Sequence, residues 1–183
     1  QSRSSAASDV YKRQLFGIKD SVFKTFNDRP NLLTKRDVRV QILADLELPK
    51  NGVIWDIGAG CGSIGLEALK LRPNLDLFCI DKRIGSKELI LENSKRLGVK
   101  PKFIFEEDII NVLKKRNLSS FEKPNRLVIG GCDKKTKIQI INTMAQGMKI
   151  GDIIVVPIID IQAVDELIEE LEDKNFKTYL NLI

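Results

Sequence analysis

Hydrophobic positions along the chain follow two alternating patterns. Short runs rich in β-branched and aromatic residues predict strands at about 53–57, 77–81, 102–106, 126–130 and 153–157, with a last strand near 176–183. Between them, apolar residues recur at helical spacing. Thr34 followed by Asp37 predicts an N-cap and an acidic first turn for a helix reaching about Leu46, and Gly98 predicts the stop of a helix over 85–97. In the last helix Ile161, Val164, Leu167, Ile168 and Leu171 share one stripe, whereas Glu166, Glu169, Glu170 and Glu172 fall mostly outside it and predict a solvated face. Strands spaced about 25 residues apart and joined by helices imply right-handed βαβ units. The expected fold class is therefore α/β: a three-layer, Rossmann-like domain whose mostly parallel sheet carries helices on both faces. Residues 1–14 show no apolar periodicity and read as a non-native or disordered tail, which leaves 15–183 as one domain.

Composition then removes several chemistries. The longest uninterrupted apolar run, Ile153–Ile159, contains Pro157 and is far shorter than the ~20 residues of a membrane span. The chain has no histidine, which excludes the commonest general base and the Ser-His and Cys-His nucleophile pairs. Cys61, Cys79 and Cys132 form no CxxC pair, so neither a metal site nor a disulfide framework is expected, and a reducing cytoplasm is the expected setting. The net charge is +5, but Asp160–Asp173 holds seven acids and no bases. The remainder is distinctly basic, which suits an acidic ligand or, equally, a lysine-rich solvated face.

The informative segment is WDIGAGCGSIG over 55–65, a strand running straight into a glycine-rich turn and then a helix. Such a turn lies at the carboxyl end of the first strand, where the order of an open α/β sheet reverses and a crevice opens. Gly60, Gly62 and Gly65 also spell GxGxxG, with Asp81 downstream, so a dinucleotide reading is available. That frame starts two residues after the strand ends and leaves Asp56 unexplained. The frame Asp56-x-Gly58-x-Gly60-x-Gly62 uses all of these residues.

It resembles the first motif of the class I S-adenosylmethionine-dependent methyltransferases, in which the turn cradles the cofactor's methionine end and an acid closing the second strand holds the ribose. Asp81 stands where that acid belongs, and Asp108 where the class places an acid beside the adenine. Within the class, GIKDSVFK from Gly17, NLLTKRDVR over 31–39, the glycine turn and LVIGG over 127–131 resemble the decarboxylating precorrin methyltransferases of cobalamin biosynthesis. Members of that family methylate ring carbon 15 of a corrin precursor and remove the carboxyl of the carbon-12 acetate. The resemblance implies S-adenosyl-L-methionine as cofactor and contacts from Thr34, Asp56, Gly58, Ala59, Gly60, Cys61, Gly62, Asp81, Asp108 and Ile109. It implies a tetrapyrrole substrate bearing acetates and propionates, for which Lys35, Arg36 and Arg39, with Gly130 and Gly131 at the mouth, are the candidate contacts. No catalytic residue is assigned, because a conjugated corrinoid is its own carbon nucleophile and positioning can supply most of the acceleration.

Cys61 replaces the family's more frequent Ser or Thr, and Cys132-Asp133 replaces a small-residue continuation. Class I methyltransferases end in an antiparallel hairpin, and the chain stops at Ile183, so a truncated hairpin is expected. A homo-oligomer and a fused or partner carbon-5 precorrin methyltransferase are left open. The alternatives are an RNA or protein methyltransferase, a dinucleotide-binding oxidoreductase and a non-catalytic Rossmann-like binding domain. A nucleic-acid substrate is disfavoured because Gly130-Gly131-Cys132 stands where amino-methylating enzymes put Asn or Asp, two prolines and an aromatic, and aromatics make up only 6% of the chain.

Overall fold

Side chains along a strand alternate between faces, and the first strand shows what that alternation builds. In the computed structural model, which describes residues 14–115 and 122–182, β1 spans Gly52–Ile57. Ile54 packs into one buried cluster, while Trp55 and Ile57 pack into a second cluster on the opposite face. The first cluster is completed by α1 (Arg36–Asp45), α2 (Ser63–Leu71) and α3 (Ser86–Leu97), which supply Ile42, Leu43, Leu66, Leu69, Ile90 and Leu97. The second is completed by α4 (Ile109–Lys115), α5 (Lys134–Ala145) and α6 (Val164–Glu172), through Val112, Ile140, Ile141, Met144 and Leu167. Each of these large side chains removed from water contributes roughly 1.5–3 kcal/mol. Trp55 stacks on Phe78 with ring centroids 5.3 Å apart.

The remaining strands are β2 (Leu75–Asp81), β3 (Phe103–Glu106), β4 (Arg126–Ile129) and β5 (Ile153–Val155). They lie in the order β3-β2-β1-β4-β5, and every pairing is parallel. The chain leaves β1 toward β2 on one side and returns to pair β4 on the other. The order therefore reverses between β1 and β4, so the crevice opens at the carboxyl end of β1. Arg126 fixes the far end, donating to the carbonyls of Leu46 at 2.5 Å, Glu47 at 3.0 Å and Gly151 at 3.0 Å, and so closes the C-terminus of α1.

The three-layer α/β expectation and five of the six strands stand. The sixth does not: residues 176–182 carry no strand, and the described sheet is wholly parallel. Asn175 leaves α6 through a left-handed turn (φ 63°), after which Tyr179, Leu180 and Leu182 are exposed and Asn181 reaches Asp45 at 3.3 Å. Two further expectations change. The N-cap of α1 is Lys35, without a side-chain bond, and Thr34 enters the structure through its carbonyl. Ile161 lies in a 3-10 turn over Ile161–Ala163 and is 72% exposed, so the apolar stripe of α6 begins at Val164. Gly98 does stop α3, at φ 69°. The tail reading for 1–14 falls, except for Gln14, outside the described residues. No helix of the described residues is long and apolar enough to cross a membrane.

Candidate active site

The glycine turn joins β1 to α2, and its glycines serve different purposes. A Cβ on Gly58 (φ 73°) would lie 2.2 Å from the carbonyl oxygen of Gly130, so here glycine lets the ends of β1 and β4 touch. On Gly65 a Cβ would stand 2.7 Å from Leu77 and 3.0 Å from the Asp56 carboxylate, so that glycine seats α2 on the sheet. Gly60 (φ 58°) is different, because a Cβ there would meet nothing within 4 Å. Only this glycine of the turn faces open space, which is what backbone approach by a ligand requires.

Two carboxylates brace the turn from either side. Asp81, at the end of β2, accepts from the Gly60 amide at 2.7 Å and from the Arg83 amide at 2.8 Å. Asp56 is 1% exposed, points toward α2 and accepts from the Gly65 amide at 2.9 Å. Burial pushes its carboxyl up to about 7, the Gly65 bond opposing and the nearby Asp81 charge adding. Asp56 thus lies beneath the turn and holds its shape. Asp81 is partly exposed on the crevice side.

Asp108 caps α4, accepting from Ile110 at 2.9 Å, and its second oxygen lies 3.7 Å from the Lys82 ammonium. Ile109 is 4% exposed and its side chain belongs to the core. Ala59 and Cys61 are buried at the base of the turn, where burial raises the Cys61 thiol to about 11. A thiol in that state is almost wholly protonated near neutrality and is a poor nucleophile.

The basic segment before α1 divides. Lys35 and Arg36 are exposed, although Arg36 donates to the Gly17 carbonyl at 2.7 Å. Arg39 is fully buried and engaged on every side. It donates to Glu67 at 2.7 Å, to Asp20 at 3.1 Å and to the carbonyls of Thr34 and Ile18, with its guanidinium 4.8 Å from the Phe23 ring. Fully buried and with four of its five donors already bonded, it has no face left for a substrate carboxylate. Its role is to fasten residues 18–34 onto α2.

Two residues that the sequence motifs do not single out complete this fastening. Glu67, fully buried on α2, accepts from Arg39 and, at 3.1 Å, from the Ile18 amide. Asn93, fully buried on α3, accepts from the Lys24 amide at 2.8 Å and donates to the Lys24 and Cys61 carbonyls, both at 2.9 Å. It therefore ties the N-terminal segment to the glycine turn. The signal was available: each is a polar residue at a helical position flanked by apolar ones, Ile64 to Leu69 in one case and Ile90 to Leu97 in the other. Among the described residues, no group of three or more Cys, Asp or Glu side chains is placed to hold a metal ion.

Comparison with known proteins places this geometry. The profile of the precorrin methyltransferase domain matches residues 24–175. A probable cobalt-precorrin-6B C(15)-methyltransferase (decarboxylating) from Saccharolobus solfataricus is 30% identical over 162 residues, covering 87% of this chain and 78% of the relative. The solved precorrin-6Y C5,15-methyltransferase of Geobacter metallireducens GS-15 superposes with a TM-score of 0.76 at 28% identity, over 90% of this chain and 83% of that one. Precorrin 8w decarboxylase of Methanobacterium thermoautotrophicum follows at a TM-score of 0.73 and 25% identity, over 87% and 82%. With its glycine turn, its paired acids and its strand order in place, the chain belongs to the precorrin methyltransferase domain family.

Proposed function

We propose that the protein is an S-adenosylmethionine-dependent methyltransferase that methylates a corrin precursor at ring carbon 15 and removes the carboxyl group of its carbon-12 acetate. The observation that carries this reading is Gly60, a left-handed glycine with open space over it whose amide is held by the acid closing β2, in a chain of this family. S-adenosylmethionine, when bound, supplies a methyl group made electrophilic by its sulfonium. The backbone of Gly58–Gly62 lines its place, Asp81 is the acceptor for ribose hydroxyls, and Asp108 stands at the adjoining strand end. The residues fit the group: the turn leaves room where the ligand must come close, and the carboxylates stand on the strand ends that border it.

What this chain contributes to the reaction is orientation. The only thiol in the turn is buried and held protonated, and no imidazole exists. Rate enhancement then comes from fixing acceptor and donor together and excluding water, contributions that reach several kcal/mol when geometry is held tightly. Asp56, Asn93 and the Arg39–Glu67 pair hold that geometry. The free Cys61, Cys79 and Cys132 suit a reducing, cytoplasmic setting.

The test is incubation with the precorrin substrate and methyl-labelled cofactor, following label incorporation and carbon dioxide release together. Asp81→Ala should weaken S-adenosylhomocysteine binding by about 10- to 150-fold, the loss of charge-assisted hydrogen bonds worth roughly 1.5–3 kcal/mol. Unchanged affinity in a folded variant would remove Asp81 from the site.

A further inference from the structure

The carboxyl end of β4 bears directly on the glycine turn, since Gly131 lies 3.3 Å from Gly58 as measured from its would-be Cβ. Beyond it the chain passes Cys132 and Asp133 into α5, and the fourth residue of that helix is Lys137. Lys137 is 9% exposed, and its ammonium bends back to donate to the Cys132 carbonyl at 2.6 Å. Among the described residues no carboxylate lies within ion-pair distance of it. The nearest acid in sequence, Asp133, is exposed and already accepts from the Thr136 amide at 2.9 Å and the Thr136 hydroxyl at 2.8 Å.

A lysine has three donors, of which this one uses a single bond to a neutral oxygen. A buried ammonium is ordinarily matched by a carboxylate, because desolvating it alone is costly. A second base, Lys82, lies just past β2 and is 70% exposed, and its one ion-pair partner among the described residues, Asp108, is 3.7 Å away. Lys137 and Lys82 both oppose the upward push of burial on the Cys132 thiol, whereas the Asp133 and Asp108 charges add to it. Lys137 thus stands on the rim where β4 meets the turn, and Lys82 follows the end of β2, on the other side of β1 in the sheet.

We propose that Lys137, assisted by Lys82, is the counter-charge for a peripheral carboxylate of the tetrapyrrole at this rim. The inference rests on the proposed function for the identity of the ligand, while the site rests on the lysines themselves. The chemistry restricts which carboxylate is held. Loss of carbon dioxide breaks the bond between the acetate methylene and its carboxyl, sending that electron pair into the conjugated ring as the carboxylate charge collapses into the second C=O of carbon dioxide, and an ammonium on that carboxylate would oppose the step by stabilising the starting charge. The group at Lys137 is thus one that stays on the product.

The experiment compares the wild-type chain with Lys137→Met, Lys137→Arg and Lys82→Met. Tetrapyrrole binding is measured by absorbance titration, S-adenosylhomocysteine binding by calorimetry, and KM and kcat from label transfer. Lys137→Met should raise the tetrapyrrole Kd and KM on the order of tenfold or more, with S-adenosylhomocysteine affinity within about twofold of wild type. Lys137→Arg should recover most of the loss, Lys82→Met should show a smaller one, and the salt dependence of tetrapyrrole binding should flatten in Lys137→Met. A wild-type Kd for the tetrapyrrole in a Lys137→Met variant that binds S-adenosylhomocysteine normally would overturn the assignment, leaving Lys137 as a brace for the Cys132 turn. If the wild-type chain neither binds nor methylates the tetrapyrrole, the proposed function falls and takes this inference with it.

Discussion

Asn93 pairs with Lys24 as one peptide group pairs with another, accepting from its amide at 2.8 Å and donating to its carbonyl at 2.9 Å, while its second N–H reaches Cys61. One fully buried side chain thus sets the spacing between the N-terminal segment and the glycine turn. Replacing Asn93 with Ala strands three backbone groups, each costing about 1–3 kcal/mol if water cannot reach it. Asn93→Ala should lose roughly 2–4 kcal/mol in chemical denaturation. Asn93→Asp, which keeps the acceptor but loses both donors, should speed hydrogen exchange at Lys24 and weaken S-adenosylhomocysteine binding. Wild-type exchange at Lys24 in that variant would contradict the link.

Arg39 and Glu67 form a buried pair at 2.7 Å with both side chains at 0% exposure. Removing one partner leaves an uncompensated buried charge, so Arg39→Met should cost about 3–5 kcal/mol. Adding Glu67→Gln should restore part of that loss, because glutamine's oxygen can still accept from Ile18 without carrying charge. Equal stability of the single and double variants in urea denaturation would mean the pair is not the source of the loss.

Gly58→Ala and Gly60→Ala should separate folding from binding. The Gly58 Cβ would collide with the Gly130 carbonyl at 2.2 Å, a contact with backbone that no rotamer relieves. That variant should be severely destabilised. Gly60→Ala has open space around it and faces only the left-handed strain of roughly 1–2 kcal/mol. It should fold and yet bind S-adenosylhomocysteine poorly. Calorimetry and thermal melts on both variants would decide the matter, and normal binding by Gly60→Ala would break the case for this glycine.

Asp56 gives the fold a pH dependence of defined sign. Its carboxyl is raised from 3.8 to about 7, so between those values the folded chain holds a proton that the unfolded chain has released. Stability attributable to Asp56 is fully present below about pH 4 and is lost as pH rises through about 7. Asp56→Asn keeps an acceptor for Gly65 and removes the titration. The wild-type melting temperature minus that of Asp56→Asn should therefore fall across this window, and a difference independent of pH would show that the carboxyl titrates normally.

The parts of this molecule legible in the sequence are those written in backbone requirements. The five strands, Gly98 at its helix end, and the sequence of Asp56, Gly58 and Gly60 each follow from local geometry that few residues satisfy. What stayed hidden depended on distant partners. Arg39 reads as a contact for a substrate carboxylate until Glu67 and Asp20 arrive around it, and Thr34 reads as a cap until the helix starts one residue later. The segment after Asn175 has the composition of a strand, but a strand also needs a neighbour to bond, and composition does not supply one.

The stacking of Trp55 on Phe78 has a practical side. This is the only tryptophan of the chain, it is 1% exposed, and it immediately precedes Asp56 on the strand that ends in the glycine turn. The protein therefore carries a single tryptophan reporter, placed in its central strand. Its emission should be blue-shifted in the folded state and move to the red in one step when the two faces of the sheet come apart, which allows every variant above to be followed without a label.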